Sequence, residues 1–494
     1  MKKKLLLALT VISCGFAHAQ YTTPNTNVTW SLEDLAAAAP QTLSLENGVY
    51  VLSEDLIIAP TDKIQIDNAV TLHIAAGVEI QIEGTFRIDS DDEVTITAVD
   101  NTTPYKGFRF QNNSVGYLRN AVITYGGGIR VLTSDFEMDH CTVSHHNVGS
   151  STGSALAFSM GTPVVKNSTI SFNEMPAFSS GANQVVSATF LNNHIEGNTQ
   201  GNSNRPQINM GPGGEDTIRI VGNTIIGDPA LPMVGGISVS ALLGGENRFI
   251  IDENTITNNR YGITIAGATS SGYIRKNVIE DNNTQNNPAQ GGSGISLSAN
   301  GTAAVMNVIV SENEIRRNLW GITVINQARI NLGSDESESF NIGKNIFSEN
   351  GNNNKVYALY NNSAHPIEAL HNCWIEGEEL TDDSVEDVIF HQADDETLGL
   401  VNYTPFGCDN GSTAAVNELE AAKINFYPNP NSGQFTLYSS EEAQLEIYNT
   451  IGQKVHEQVV HAGENAMNVA LPSGIFFAVI KGQLLQSGQK IMIQ

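Results

Sequence analysis

Residues 253–265 read ENTITNNRYGITI, and residues 312–324 read ENEIRRNLWGITV, with the same residue types at the same offsets. This echo constrains the fold more than any other feature. If the first Asn of each echo is the anchor, anchors fall at Asn120, Cys141, Ser168, Asn193, Asn223, Asn254, Asn277, Asn313, Asn345 and Asn372. They are spaced irregularly, from 21 residues (Asn120 to Cys141) to 36 (Asn277 to Asn313). Three residues before them stand Tyr117, Met138, Val165, Phe190, Ile220, Ile251, Ile274, Val310, Ile342 and Ala369. Two residues after them stand Val122, Val143, Ile170, Ile195, Ile225, Ile256, Ile279, Ile315, Phe347 and Trp374.

Between these columns the chain alternates with period 2, as in DTIRIVGN, where Ile218 and Ile220 face one way and Arg219 and Val221 the other. Each unit therefore reads as a strand, a tight turn at the anchor and a second short strand. A further Asn follows five residues on (Asn173, Asn198, Asn259, Asn282, Asn318, Asn350), and a third strand opens at Gly128-Ile129, Gly236-Ile237, Gly262-Ile263, Gly294-Ile295 and Gly321-Ile322. Three short strands cannot bury an apolar face alone, but stacked copies can. The predicted architecture is all-β, a parallel β-helix adding one strand spacing per coil, about 4.8 Å. Asn at the corners is expected for two reasons: it tolerates a left-handed backbone, and its amide can hydrogen-bond up and down a column. With 45 Gly and only 7% aromatic residues, the core should be mostly small aliphatics. Each such side chain contributes about 1.5–3 kcal/mol when fully buried.

The pattern resembles the right-handed parallel β-helix repeat family of the pectate-lyase-like superfamily, whose hallmark run is Asn-x-Ile-x-x-Asn-x-x-Gly-Ile. Asn254, Ile256, Asn259, Gly262 and Ile263 match it, as do Asn313, Ile315, Asn318, Gly321 and Ile322. The resemblance implies right-handed coiling over residues 40–407, behind a leader or cap at 20–39.

Both ends of the chain carry addresses. MKKKLLLALTVISCGFAHAQ has three lysines, an apolar run and Ala17-His18-Ala19, and reads as an export signal over 1–19 cut before Gln20. Cys14 is a poor match to a lipid-attachment box, since Val11-Ile12-Ser13 precede it. After a small polar linker at 408–422, the final segment 423–494 alternates strand-like runs with Pro, Asn and Gly turns, as in a small β-sandwich. It resembles the C-terminal sorting domain of the type IX secretion system of Bacteroidetes. The matching residues are Tyr427-Pro428-Asn429-Pro430, Gly433, Phe435, Ile447-Tyr448-Asn449, Gly452, Gly474, Phe476-Phe477 and Lys490. The resemblance implies passage across the outer membrane by the type IX machinery, then release or surface attachment. No segment has eighteen consecutive apolar residues, so no transmembrane helix is expected.

Net charge is −27, which argues against nucleic acid as partner. An anionic polysaccharide would be repelled too, unless a metal bridges it or the acidic residues lie elsewhere. Past the signal the cysteines are Cys141, Cys373 and Cys408. Export permits a Cys373–Cys408 disulfide, the alternative being three buried thiols. Three cysteines so far apart do not make a zinc site.

Residues for chemistry are harder to place. The polygalacturonase-like set and the pectate-lyase-like calcium and arginine motifs are missing. The densest ionisable stretch is DFEMDHCTVSHHN. Glu137 and Asp139 should share one outward strand face, with His140 at the turn and Lys166 one coil on; these four are the candidate acid–base set. Glu137, Asp139, His145 and His146 are the candidate ligands of a divalent metal. No cofactor is established by the sequence, and Ca2+ is the one it leaves open. The competing reading is a solvated face with histidines replacing Asn, favoured by His146 lying five residues after Cys141. A second outward set, Arg219, Asp252 and Arg275, is a candidate ligand-binding group, although opposite charges on stacked strands commonly just pair. Insertions such as GDPALPMVGG and NNTQNNPAQGGSG leave from one corner and should form a rim, with few aromatics for stacking on sugars. The expectation is a secreted or surface-displayed, non-catalytic protein that binds extracellular or surface polysaccharide or serves an adhesive layer. The alternative is a polysaccharide lyase or glycoside hydrolase of the same superfamily.

Overall fold

The computed structural model describes residues 20–147, 153–301, 304–408, 426–427, 431–439, 442–449, 453–461, 463–481 and 486–493. The expected signal peptide, and all of the expected linker but Cys408, lie outside the described residues. The chain forms two compact units, Met1–Asn410 and Gly411–Gln494.

The first unit is a parallel β-helix with three faces. Sheet A holds fourteen strands in one unbroken order, among them those that open at Gly-Ile. Sheet B contains the strands before each anchor and sheet C those after it. The two are joined because the long strands Thr85–Ala98 and Val115–Thr124 bend from one into the other. Alternate side chains point into the axis and stack by register. Ile220, Ile251 and Ile274 are successive neighbours in sheet B, each fully buried. Ile256, Ile279, Ile315 and Phe347 do the same in sheet C, and Ile237, Ile263, Ile295 and Ile322 in sheet A. Gly262 and Gly294 are needed by close approach, not by unusual dihedrals. A Cβ on Gly262 would meet the Gly294 carbonyl oxygen and an Ile279 methyl, both at 2.5 Å.

The corners follow the expected columns, with one change of role. Asn223, Asn254, Asn277, Asn313, Asn345 and Asn372 form an unbroken amide ladder: each Nδ2 donates to the next Oδ1 at 2.9–3.0 Å. The left-handed residue is the one before the anchor, as at Asn192 (φ 54°), Glu253 (φ 58°), Lys276 (φ 53°) and Glu312 (φ 57°). Asn at the anchor thus serves hydrogen bonding rather than backbone conformation. Its Oδ1 also accepts the preceding anchor's N–H, so buried backbone groups are satisfied as well.

A second ladder runs through Asn173, Asn198, Asn259, Asn282, Asn318 and Asn350. The Asn223 coil lacks an Asn at this position, and Gln207 fills the gap. Its Oε1 accepts from Asn198 Nδ2 at 3.1 Å, and its Nε2 donates to Asn259 Oδ1 at 3.1 Å.

Two column assignments are corrected. At the first anchor the register is displaced by one residue. Leu118 and Ile123 face the core, paired with Met138 and Val143, and Ala121 takes the anchor position. Asn120 is the left-handed residue (φ 56°), which is why it imitates an anchor in the sequence. Tyr117 faces outward beneath Arg87, 4.1 Å from guanidinium carbon to ring centroid. Ile342 is 39% exposed, and Leu332 is buried in its place. The cause is an excursion closed by an antiparallel bridge between Ser334 and Asn341, which separates the sheet B strand from its anchor.

The ends are covered. Residues expected as a leader or cap pair in parallel from Gln20–Thr22 and Thr29–Trp30, then form helix α1, Leu32–Ala38, whose Leu35 is fully buried. Ser31 and Asp34 make a capping box that starts this helix. At the other end Trp374 stacks on Phe347, with ring centroids 5.1 Å apart, and the Cys373–Cys408 disulfide is formed. Cys141 is a buried free thiol.

The second unit has one three-stranded and one four-stranded antiparallel sheet. Phe435, Leu437, Leu445, Ile447, Phe476 and Ile491 are buried in its core. The Pro428-Asn429-Pro430 and Gly452 portions of the quoted motif lie outside the described residues.

Candidate ligand groove

On the outer face of sheet A the period-2 alternation that buries Ile263 and Ile265 turns Thr264 outward. Register stacks Ser238, Thr264, Ser296 and Thr323 in one column, and Tyr360 and Phe390 continue it. Toward the N-terminal coils the same column holds Asn209, Ser179, Ala157, Arg130 and Arg109. Small hydroxyl residues leave a channel between side walls. Its floor is internally bonded: Thr323 Oγ1 lies 3.0 Å from both Ser293 Oγ and Ser296 Oγ.

One wall is aromatic. Trp320 packs against Tyr357 (4.7 Å between ring centroids) and Tyr360 (4.9 Å), and Tyr360 stacks on Phe390 at 4.6 Å. The Trp320 indole donates to the Pro288 carbonyl at 3.1 Å, which fastens the ring to the 283–291 insertion. Trp320 and Tyr360 border a cleft of about 470 Å³ that also takes in Arg260, Tyr261, Gln290 and Gly291, with Tyr357 and Phe390 packed behind them. A second cleft on the same face, about 360 Å³, is lined by Arg130, Ser179, Gln184, Arg205 and Asn209. Among the described residues no carboxylate lines either cleft. Burial, and then the charges of Tyr357, Asp394 and Asp395, raise the Tyr360 phenol, so two carboxylates act on the Tyr360 end of the larger cleft. Burial pushes the Tyr261 phenol up to about 12 even with the Arg260 charge beside it.

The residues singled out from sequence occupy other faces. Glu137, Asp139, His140 and Lys166 do come together on sheet B. Lys166 Nζ lies 2.6 Å from Glu137 Oε1 and 3.6 Å from Asp139 Oδ2, and His140 Nδ1 lies 2.6 Å from Asp139 Oδ1. Burial of Asp139 opposes its charge, but the Asn167 amide, His140 and Lys166 hold its carboxyl below the usual range. Lys166 is shifted up, chiefly by its bond to Glu137. The set is paired within itself, Lys166 being shared by the two carboxylates. His145 and His146 sit at the corner between sheets C and A. His145 stacks on Tyr125 at 5.1 Å. His146 is buried and accepts the Gly126 N–H on Nδ1 at 3.0 Å, and burial lowers its imidazole to about 4. Among the described residues no three His, Cys, Asp or Glu side chains converge on a metal position, so Glu137, Asp139, His145 and His146 do not form one cluster. Arg275 pairs with Asp252 at 2.6 Å, but Arg219 falls beside Ile250, two positions from Asp252, and the expected trio is a pair.

The aromatic wall is the feature that reading the sequence missed. A signal exists: Tyr261 and Trp320 immediately precede the Gly-Ile of their coils, and Tyr357 precedes Ala358-Leu359 at the equivalent place. Tyr360 and Phe390 carry no such marker.

Comparison with known proteins adds an address. Residues 425–494 match the family model of the secretion system C-terminal sorting domain, and residues 234–377 match a family described as a protein of unknown function, DUF1565. No curated protein matches the chain. Among solved structures the periplasmic alginate epimerase AlgG is similar, at 14% identity and TM-score 0.37, covering 76% of this chain and 83% of that one. No helix among the described residues is long and apolar enough to cross a membrane. The chain is a secreted or cell-surface parallel β-helix protein bearing a type IX secretion sorting domain.

Proposed function

We propose that the β-helix is a glycan-binding module displayed or released outside the cell, with the outer face of sheet A as its binding surface. The observation that carries this reading is Trp320 and Tyr360, backed by Tyr357 and Phe390, beside a hydroxyl-lined channel. Sugar rings pair an apolar face with a polar rim. A half-buried indole beside Ser and Thr hydroxyls answers both, since aromatic rings bury large area while their polar handles find partners. Groups of this kind are what convergent ligand clefts contain. The role is adhesive or recognition-based, not catalytic.

The test is the full-length protein on a glycan array, alongside Trp320→Ala. We expect retention on a subset of glycans, and at least a tenfold loss in the variant with its unfolding temperature little changed. Unaltered binding by Trp320→Ala would remove the groove from consideration. Release of unsaturated or new reducing ends from any bound polysaccharide would replace the binding role with a lyase or hydrolase acting in a site still to be located.

A further inference from the structure

Arg260 stands apart from the charged residues on the other faces. It lines the aromatic cleft but is only 6% exposed. Its two hydrogen-bond partners, Asn204 Oδ1 and the Gln290 carbonyl oxygen, are both neutral. Its Nε is buried and has no partner. Gly291 covers this nitrogen, and a Cβ there would stand 3.1 Å from it. Among the described residues no carboxylate forms an ion pair with Arg260. By contrast Arg316 and Arg317, also partly buried, each carry two or more carboxylates.

A guanidinium withdrawn from water without a counter-charge is costly to the fold. Its planar fork matches a carboxylate or sulfate, and the short charge-assisted bonds so made are the strong ones. Resting on the glycan reading above, we propose that Arg260 is the anion-recognition subsite of the groove. The ligand is then an acidic pyranoside whose ring packs on Trp320 and Tyr360 while its carboxylate or sulfate ester meets Arg260. Of the net charge of −27, surface carboxylates farther than roughly 10 Å are screened at 0.1 M salt, while Asp394 and Asp395 act on Tyr360 and so favour the anion at the Arg260 end of the cleft. The same charge makes nonspecific retention of a polyanion unfavourable, so any retention reports a local site.

Affinity electrophoresis of the full chain through gels carrying dextran, carboxymethyl-dextran or dextran sulfate tests the idea on one backbone with three charges. We expect retardation by at least one charged gel and little by plain dextran; which charged gel works identifies carboxylate or sulfate. Arg260→Gln should weaken that retardation at least tenfold, with Arg260→Lys retaining part of it. Thermal unfolding of both variants checks that the 283–291 insertion still folds, and the Lys variant keeps the test decisive if Gln unsettles it. No retardation by either charged gel, or equal retardation of wild type and Arg260→Gln, overturns the proposal. If Trp320→Ala loses array binding while Arg260→Gln behaves as wild type, the anion subsite falls and the groove stands. The reverse result retires the aromatic groove and keeps the arginine.

Discussion

The outer faces of sheets A and B rise from the same coils in the same register, yet their chemistry is opposite. On sheet B, charges answer one another from rung to rung: Glu137 with Lys166, Asp252 with Arg275, Asp89 with Arg119. On sheet A the stretch of the column from Ser238 to Phe390 is hydroxyl and aromatic, and the arginine at its cleft has only neutral partners. Density of ionisable residues is therefore a poor guide to a site in a stacked fold. Neighbouring strands make opposite charges meet by default. What distinguishes sheet A is interaction capacity that the fold itself leaves unused.

That contrast can be broken at three levels. The largest effect should come from the corner that keeps both faces in register. Asn277→Ala removes the acceptor of Asn254 Nδ2 and of the Asn254 N–H, and the donor to Asn313 Oδ1 and the Ile251 carbonyl. Leaving buried donors unpaired at about 1–3 kcal/mol each, the loss should reach roughly 3–5 kcal/mol in denaturant unfolding of the β-helix. A loss below about 1 kcal/mol would mean that the ladder is ornament.

A smaller, pH-bound effect is expected at His146. Its ordinary value is 6.5 and its folded value about 4, so between these the unfolded chain binds the extra proton. Stability should fall as pH is lowered from about 6.5 to about 4 and level off below. His146→Asn, which restores the side chain other coils use here, should remove that share of the decline in a series of melts. An unchanged acid slope would assign it elsewhere. The smallest effect belongs to sheet B: Lys166→Met should change stability by less than about 1 kcal/mol, because the pair is partly exposed. The variant should also leave glycan retention as it was. If it abolished retention, the two faces would have to exchange roles.

Much of this was readable before any coordinates. Period-2 alternation and fixed Asn offsets predict the three sheets, the inward isoleucines and the ladder, because each depends on residues close in the chain. The first anchor misled by one place because Asn also suits the left-handed residue that precedes it, as Asn120 does. The aromatic wall was hidden for a different reason. Trp320, Tyr357 with Tyr360, and Phe390 come from three successive sheet A strands, up to 70 residues apart (390 − 320), and only register brings them together. Arg260 looked ordinary because the absence of a counter-ion cannot be read from one position.

Gln207 shows how such a fold withstands damage. A gap in the motif need not be a gap in the molecule, since a longer amide reaching in from another stretch of the chain repairs the column. Coils can thus lose their signature residue and still transmit order to the next. Surveys that score repeats one window at a time will undercount proteins built this way, and will do so where insertions, and with them new surfaces, have been accommodated.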